Sequence, residues 1–489
     1  AMFFHSRVVG SSEITAPPSV VGPAPVEATP AAEDLRVVET DERLTGLDRA
    51  AFTFPCGEAT LILAYVSPHV DFSGVVDRLR AVAGRIPIVA VSTAGELCSA
   101  APQLYRPTGD RWSSITLQVF PPDLIEAVSI HAVPLHNDDI RKGKPSLSRE
   151  ARVEAIVRSL ASVRPAFRIR AADTFALAFV DGLSASENYF MEAIYRAGRF
   201  PCFFVGGSAG GTFDFRRTQV FDGTRVVENH AVVTFVKVAE GRRYGVFKSQ
   251  NFKTSGKAFF VSESDPDRRV VSGVIDPVSG DPVPFLTALA RTLGVEPAAV
   301  QSRMAGRTFG IEIDGELFIR SVAGIDVAAG TVSFFCDVNA GDELFLLDAT
   351  DFADQTRRDL EAFLAGKARP LGAILNDCIL RRLNNARALP AVAPLWNMPA
   401  AGFSTFGELF GINVNETLSA IVFFDASSGA HTDAFIEDFP IHYAKFQNYF
   451  TKCELKRVGM LNGFRSTVID RLAEHLDFVH EIEQTLERA

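Results

Sequence analysis

A chain of 489 residues is longer than one ordinary core needs, and its length predicts two or three domains. Its 47% hydrophobic content supplies real cores, while a net charge of -10 and a pI near 5.5 exclude a nucleic-acid or anionic-membrane surface, which would need dense Lys and Arg. No run reaches the ~18 apolar residues of a spanning helix, the N-terminus lacks the pattern of a secretory signal, and the cysteines are dispersed like reduced thiols, so the expected setting is the cytoplasm without membrane insertion.

In chain order, residues 1–57 read as a flexible leader and lead-in, because the tract 11–34 is rich in Pro and Ala and poor in bulky apolar residues. LILAYVSP then predicts a strand. DFSGVVDRLRAVAG places Phe72, Val75, Val76, Leu79 and Val82 at helical spacing behind an Asp71 cap, and PIVAVST is the next buried strand. Such a strand, helix, strand unit makes parallel pairing, and it ends in the small residues Ser92, Thr93, Ala94 and Gly95. FALAFVDG, SASENYFMEAIYRAG and CFFVGGSAGG repeat the order, with Ser184 or Ser186 as the helix cap. Gly84, Arg85 and Pro87 recur as Gly198, Arg199 and Pro201, and one extra residue then aligns Ser92-Thr93-Ala94-Gly95 with Gly207-Ser208-Ala209-Gly210. SSITLQVF and HAVVTFV follow the two turns as further strands. A weaker third copy runs through LGAILNDCIL, PLWNMPAAGFSTFGELFG and LSAIVFF, so that STFGEL echoes STAGEL.

The expected fold is α/β and two-lobed, built from repeated strand-helix-strand units with mixed sheets and a C-terminal helical extension. Glycines after strands often only turn the chain, but they also leave room and free N–H groups at strand ends, where a crevice holds ligands. Neither turn matches a dinucleotide or P-loop fingerprint, and no G-x-S-x-G is present.

The residues STAGEL, FFVGGSAGG, FDGTRVVENHAVVTFV, DCILRR and AGFSTFGELFGINVNETLSAIVFF together resemble the FIST domain. On that resemblance residues 58–250 form the N-terminal FIST domain, 251–279 a connector, 280–425 the C-terminal FIST domain and 426–489 a helical signalling extension. The resemblance implies a bacterial sensory input module that binds a small molecule and does not catalyse. Amino acids are ligands suggested for the family, one branch of it binds haem and senses nitric oxide, and animal F-box proteins use the same domain as a scaffold. The ligand contacts expected are Ser92, Thr93, Gly95, Glu96, Asp181, Gly206, Gly207, Ser208, Gly210, Cys378, Arg381, Ser404, Gly407 and Glu408.

Individual residues leave alternatives open. Cys378, followed by Arg381 and Arg382, is either a packed core thiol or a thiol activated by cations, as a thiol-dependent enzyme would require. In the family's pattern Cys378 and Arg381 line the crevice, and an Arg fork suits a carboxylate. Glu96 and Glu408 follow equivalent glycines and Asp181 ends a strand, so each either holds its turn or meets ligand. No metal-binding spacing occurs, and His131 and His136 read as independent residues. A haem b would need only one axial His. His230 is the first candidate and His442 the second, each set against an ordinary packed or surface histidine.

Beyond residue 430, Val458, Leu461, Arg465, Val468, Leu472, His475, Val479, Ile482 and Leu486 follow alternating three- and four-residue steps. That seam packs on the chain's own core or pairs two copies in a homodimer. The expected output partner is a histidine kinase, chemoreceptor or cyclic-di-GMP enzyme, supplied by a separate protein or by chain outside this sequence.

Overall fold

The computed structural model describes residues 35–487; the predicted leader up to residue 34 lies outside the described residues. Three copies of one unit organise the α/β core, the third being the weaker copy expected from sequence. Each begins with a strand, Leu61–Val66, Thr174–Val180 or Arg369–Cys378, that pairs in parallel with Ile88–Ser92, Phe204–Ser208 or Ala400–Thr405 respectively. The first two crossovers are the helices Phe72–Ala83 and Glu187–Ala197, whose apolar sides are buried. Asp71 caps the first as expected, accepting from the Gly74 N–H, and Ser186 occupies the N-cap position of the second. In the third copy the crossover is two short helices, Ile379–Asn384 and Leu389–Val392.

Every unit is completed the same way. Ile115–Phe120, His230–Val238 and Leu418–Asp425 each lie antiparallel to the first strand of their unit. Beyond them lie Arg36–Thr40, Ile125–Pro134 and Arg242–Ser249. On the other side the sheets exchange strands. Glu96–Cys98 leaves unit one to pair with Ala400–Thr405 of unit three, Glu408–Phe410 leaves unit three for Phe204–Ser208 of unit two, and Val220–Phe221 leaves unit two for Ile88–Ser92 of unit one. The exchange is cyclic, which gives the core a pseudo-threefold arrangement.

The turns between these strands close the cycle. The N–H of Ala94 donates to the Ser404 carbonyl, that of Phe406 to Ser208, and that of Gly210 to Ser92. Ser92, Ser208 and Ser404 are therefore equivalent, and Val66↔Ser92 and Val180↔Ser208 hold the same parallel register. This corrects the sequence alignment by one residue: two residues are gained between the copies, not one, because the loop before Phe204–Ser208 is longer and no local pattern marks where the slack falls.

Between units two and three, residues 252–349 contain an eight-stranded antiparallel sheet, so the expected connector 251–279 consists largely of the strands Phe252–Asp265 and Val270–Ile275. The C-terminal helix Phe439–Glu487 docks its first turns on this sheet and on unit two, with Phe446 against Phe318 and Tyr195. No helix among the described residues is long and apolar enough to cross a membrane.

Candidate functional site

Most residues expected to touch ligand build the turn ring. Ser92 Oγ donates to the Gly210 carbonyl (2.6 Å) and accepts from the Gln219 N–H (2.8 Å). Ser208 Oγ donates to Glu187 (2.8 Å), and Ser404 Oγ accepts from Arg382 Nε (2.8 Å). Thr93 and Thr405 each reach the glutamate three residues on, Glu96 and Glu408, and each accepts from the intervening glycine N–H. Gly95 (φ 132°) and Gly407 (φ 156°) take backbone angles that a Cβ would strain, which is why a glycine stands in both turns. Glu96 also accepts from Ser114 and from Trp112 Nε1 (3.2 Å). Burial pushes both carboxyls up, Glu408 well above its ordinary range. Gly206 and Gly207 lie against Ala178 and Thr405.

Arg381 is fully buried, paired to Asp377 Oδ1 (2.7 Å) and stacked over Phe352. Its guanidinium is thus committed inside the third unit. Asp181 accepts from Thr218 Oγ1 (2.6 Å) and from Arg141 Nη1 (3.0 Å), and the Asn229 N–H also donates to it. Of the fourteen expected contacts, Cys378 alone lines a walled cavity of about 490 Å³ beside the ring.

That cavity opens at the carboxyl ends of the strands, where the inserted sheet meets units two and three. Gly182, Leu183 and Ala185 form one wall, Cys378, Ile379, Leu380 and Phe406 a second, and Asp267, Arg268, Arg269, Phe334 and Phe335 a third. Ile140, Arg141, Phe215 and Arg216 close the rest, with Phe215 packed on Phe406 at 5.2 Å between ring centroids. Backbone strain concentrates here. Ala185, Phe215 and Arg269 have φ of 49°, 53° and 55°, unfavourable angles for residues with a Cβ, and all three line the cavity.

Its four arginines differ in availability. Arg269 is neutralised by Glu187 and by Asp337 (3.0 Å), and donates to the Phe335 carbonyl (2.6 Å), so it is a structural strut that leads back to Ser208 of the ring. Arg141 is tied to Asp181. Arg216 and Arg268 are mostly exposed and hold only loose pairs with Asp214 (3.8 Å) and Asp265 (3.4 Å), which leaves their forks able to turn to an anion at the mouth. The apolar walls and these forks suit an organic molecule with a hydrophobic body and a carboxylate. Arg216 and Arg268 do not stand out in the sequence: the adjacent pairs Arg216-Arg217 and Arg268-Arg269 in loops are the only local signal, and nothing in them tells a binding arginine from a solvated one.

Burial pushes the Cys378 thiol well above its ordinary value, the opposite of the depressed pKa that activates a nucleophile. His230 Nδ1 lies 2.6 Å from the Glu228 carbonyl, and His442 stacks on Phe435 at 3.9 Å. Neither lines the cavity, and no histidine does so among the described residues. With only a protonated thiol on the wall, the residues present do not fit an axially ligated haem in this cavity.

Interlocked α/β units with a walled cavity at their strand ends define the class of protein. Residues 60–273 match the FIST N domain and residues 286–411 the FIST C domain. Together the matches take in well over half of the chain, which belongs to the FIST family, whose domains are associated with signal-transduction sensing of small ligands. No curated protein matches the chain.

Proposed function

We propose that this protein is a small-molecule sensor whose ligand occupies the cavity between the inserted sheet and units two and three. The ligand class is an organic carboxylate with an apolar part, amino acids included. One observation carries the reading: the sheet that supplies Arg268, Arg269, Phe334 and Phe335 to the cavity also seats the C-terminal helix. Glu316 of that sheet pairs with Lys445 of the helix (2.7 Å), Phe318 packs on Phe446, and Asp342 accepts from Cys453. A ligand that favours one seating of the sheet biases the helix by the same free energy, and the helix hands that bias to a signalling partner such as a histidine kinase, chemoreceptor or cyclic-di-GMP enzyme.

A thermal-shift screen of amino acids and other small carboxylates, followed by calorimetry on the best binder, tests the reading. Replacing Arg216→Ala together with Arg268→Ala is expected to weaken that binder at least tenfold while leaving the unliganded melting temperature within a degree or two. If no carboxylate stabilises the protein, or if the double variant binds as well as the parent, this assignment of the site fails.

A further inference from the structure

The C-terminal helix has two faces. Phe439, Phe446, Tyr449, Phe450 and Cys453 are buried against the core. Among its described side chains the large exposed hydrophobics are Ile441, Leu455, Val458, Ile469, Leu472 and Leu476, each 51–67% exposed. Counted in heptads from Ile441 as position a, all six fall on a or d, whereas Phe439, Phe446 and Cys453 fall on f, directly opposite. Docking on the core therefore sets the rotation of the helix and turns outward an a/d seam that Asn448, Thr451, Asn462 and Arg465 interrupt. Val458, Arg465, Leu472, Val479 and Leu486 of the seam expected from sequence fall on d in this frame, and Leu455, Asn462, Ile469 and Leu476 stand at its a positions.

We infer that this seam is a homodimer interface, its occupant the same helix of a second copy in a parallel, in-register two-stranded coiled coil. Three features favour a second copy over the chain's own core or an unrelated protein. The large apolar residues stand at multiples of seven, Ile441, Leu455, Ile469 and Leu476 on a and Val458 and Leu472 on d, with Asn448, Thr451, Asn462 and Arg465 between them, whereas packing on a fixed straight core follows the 3.6-residue period and would drift by about 20° per heptad. A seam of this kind is self-complementary, since the same a and d residues of each copy fill the holes of the other. Asn462 stands at an a position in the middle of it, exposed in the single chain, where in a parallel pair it meets its own counterpart and specifies register and two strands. The inference does not depend on the identity of the cavity's ligand.

Sedimentation equilibrium of the full chain at 1–100 µM is expected to give twice the 53.1 kDa chain mass. Leu472→Glu with Leu476→Glu is expected to give a monomer with an unchanged circular dichroism spectrum below the melting transition, because both side chains are exposed in the single chain. Parallel register is tested by Asn462→Cys in a Cys56→Ser background, which removes the exposed native thiol; mild oxidation should join the two copies at that position. A parent protein that is monomeric at 100 µM overturns the proposal, as does a dimer that survives the double glutamate substitution. A dimer that fails to cross-link through Cys at 462 overturns the parallel arrangement.

Discussion

Glu416 is a buried carboxyl held in a left-handed backbone conformation (φ 44°), next to Asn415 on the cavity wall. Asn384 Nδ2 donates to one of its oxygens at 2.6 Å. Burial raises its pKa from an ordinary 4.5 to about 7. Between those values the folded state keeps a proton that the unfolded chain has released, so this residue's contribution is complete below pH 4.5 and is lost as pH rises to 7, with a plateau above. The loss amounts to roughly 3 kcal/mol. Glu416→Gln cannot ionise and is expected to remove that part of the slope. Urea unfolding of both proteins at pH 5 and pH 7.5 checks it, and parallel slopes would refute it. Nothing in the local sequence INVNETLS singles out Glu416, because its burial is imposed by segments more than ninety residues away, around Thr308 and Ser321.

At the scale of elements, the turn ring tolerates little. A Cβ on Gly210 would stand 2.2 Å from the Ala94 nitrogen and 2.5 Å from the Thr93 carbonyl carbon, both of them backbone atoms that cannot swing aside. Gly210→Ala is therefore expected to cost about 3 kcal/mol or more, or to prevent folding, as read by denaturant midpoint and soluble yield. The three-residue Glu96–Cys98 strand shows what was legible and what was not. STAGEL announces a turn followed by an apolar strand, and its likeness to STFGEL announces equivalence. Neither says that each strand joins a neighbouring unit's sheet, because a strand of that length looks the same whichever edge it pairs with.

At the scale of the molecule, the two FIST halves are not separable bodies. The boundary between the matched regions, residues 274–285, falls inside the inserted sheet, and unit one receives a strand from unit two while giving its own to unit three. A protein ending at residue 273 would expose the edge of Phe204–Ser208, which Glu408–Phe410 covers in the full chain. Such a truncation is expected to lack a cooperative thermal transition and to aggregate; a sharp, reversible transition near that of the whole protein would show that the halves are independent.

The sequence alone determined the strand-helix-strand units, their caps, the equivalence of the turns and the presence of a heptad seam. These features rest on periodicity and turn chemistry over stretches of a few to some twenty residues, and they survive any rearrangement of the units. Only the tertiary structure decided the cyclic strand exchange, the enclosure of a cavity by an inserted sheet, the commitment of Arg381 to Asp377 and the rotation of the C-terminal helix. Each is settled by contacts between residues far apart in the chain, where the free energy of burying a shared surface, not local preference, selects the partner.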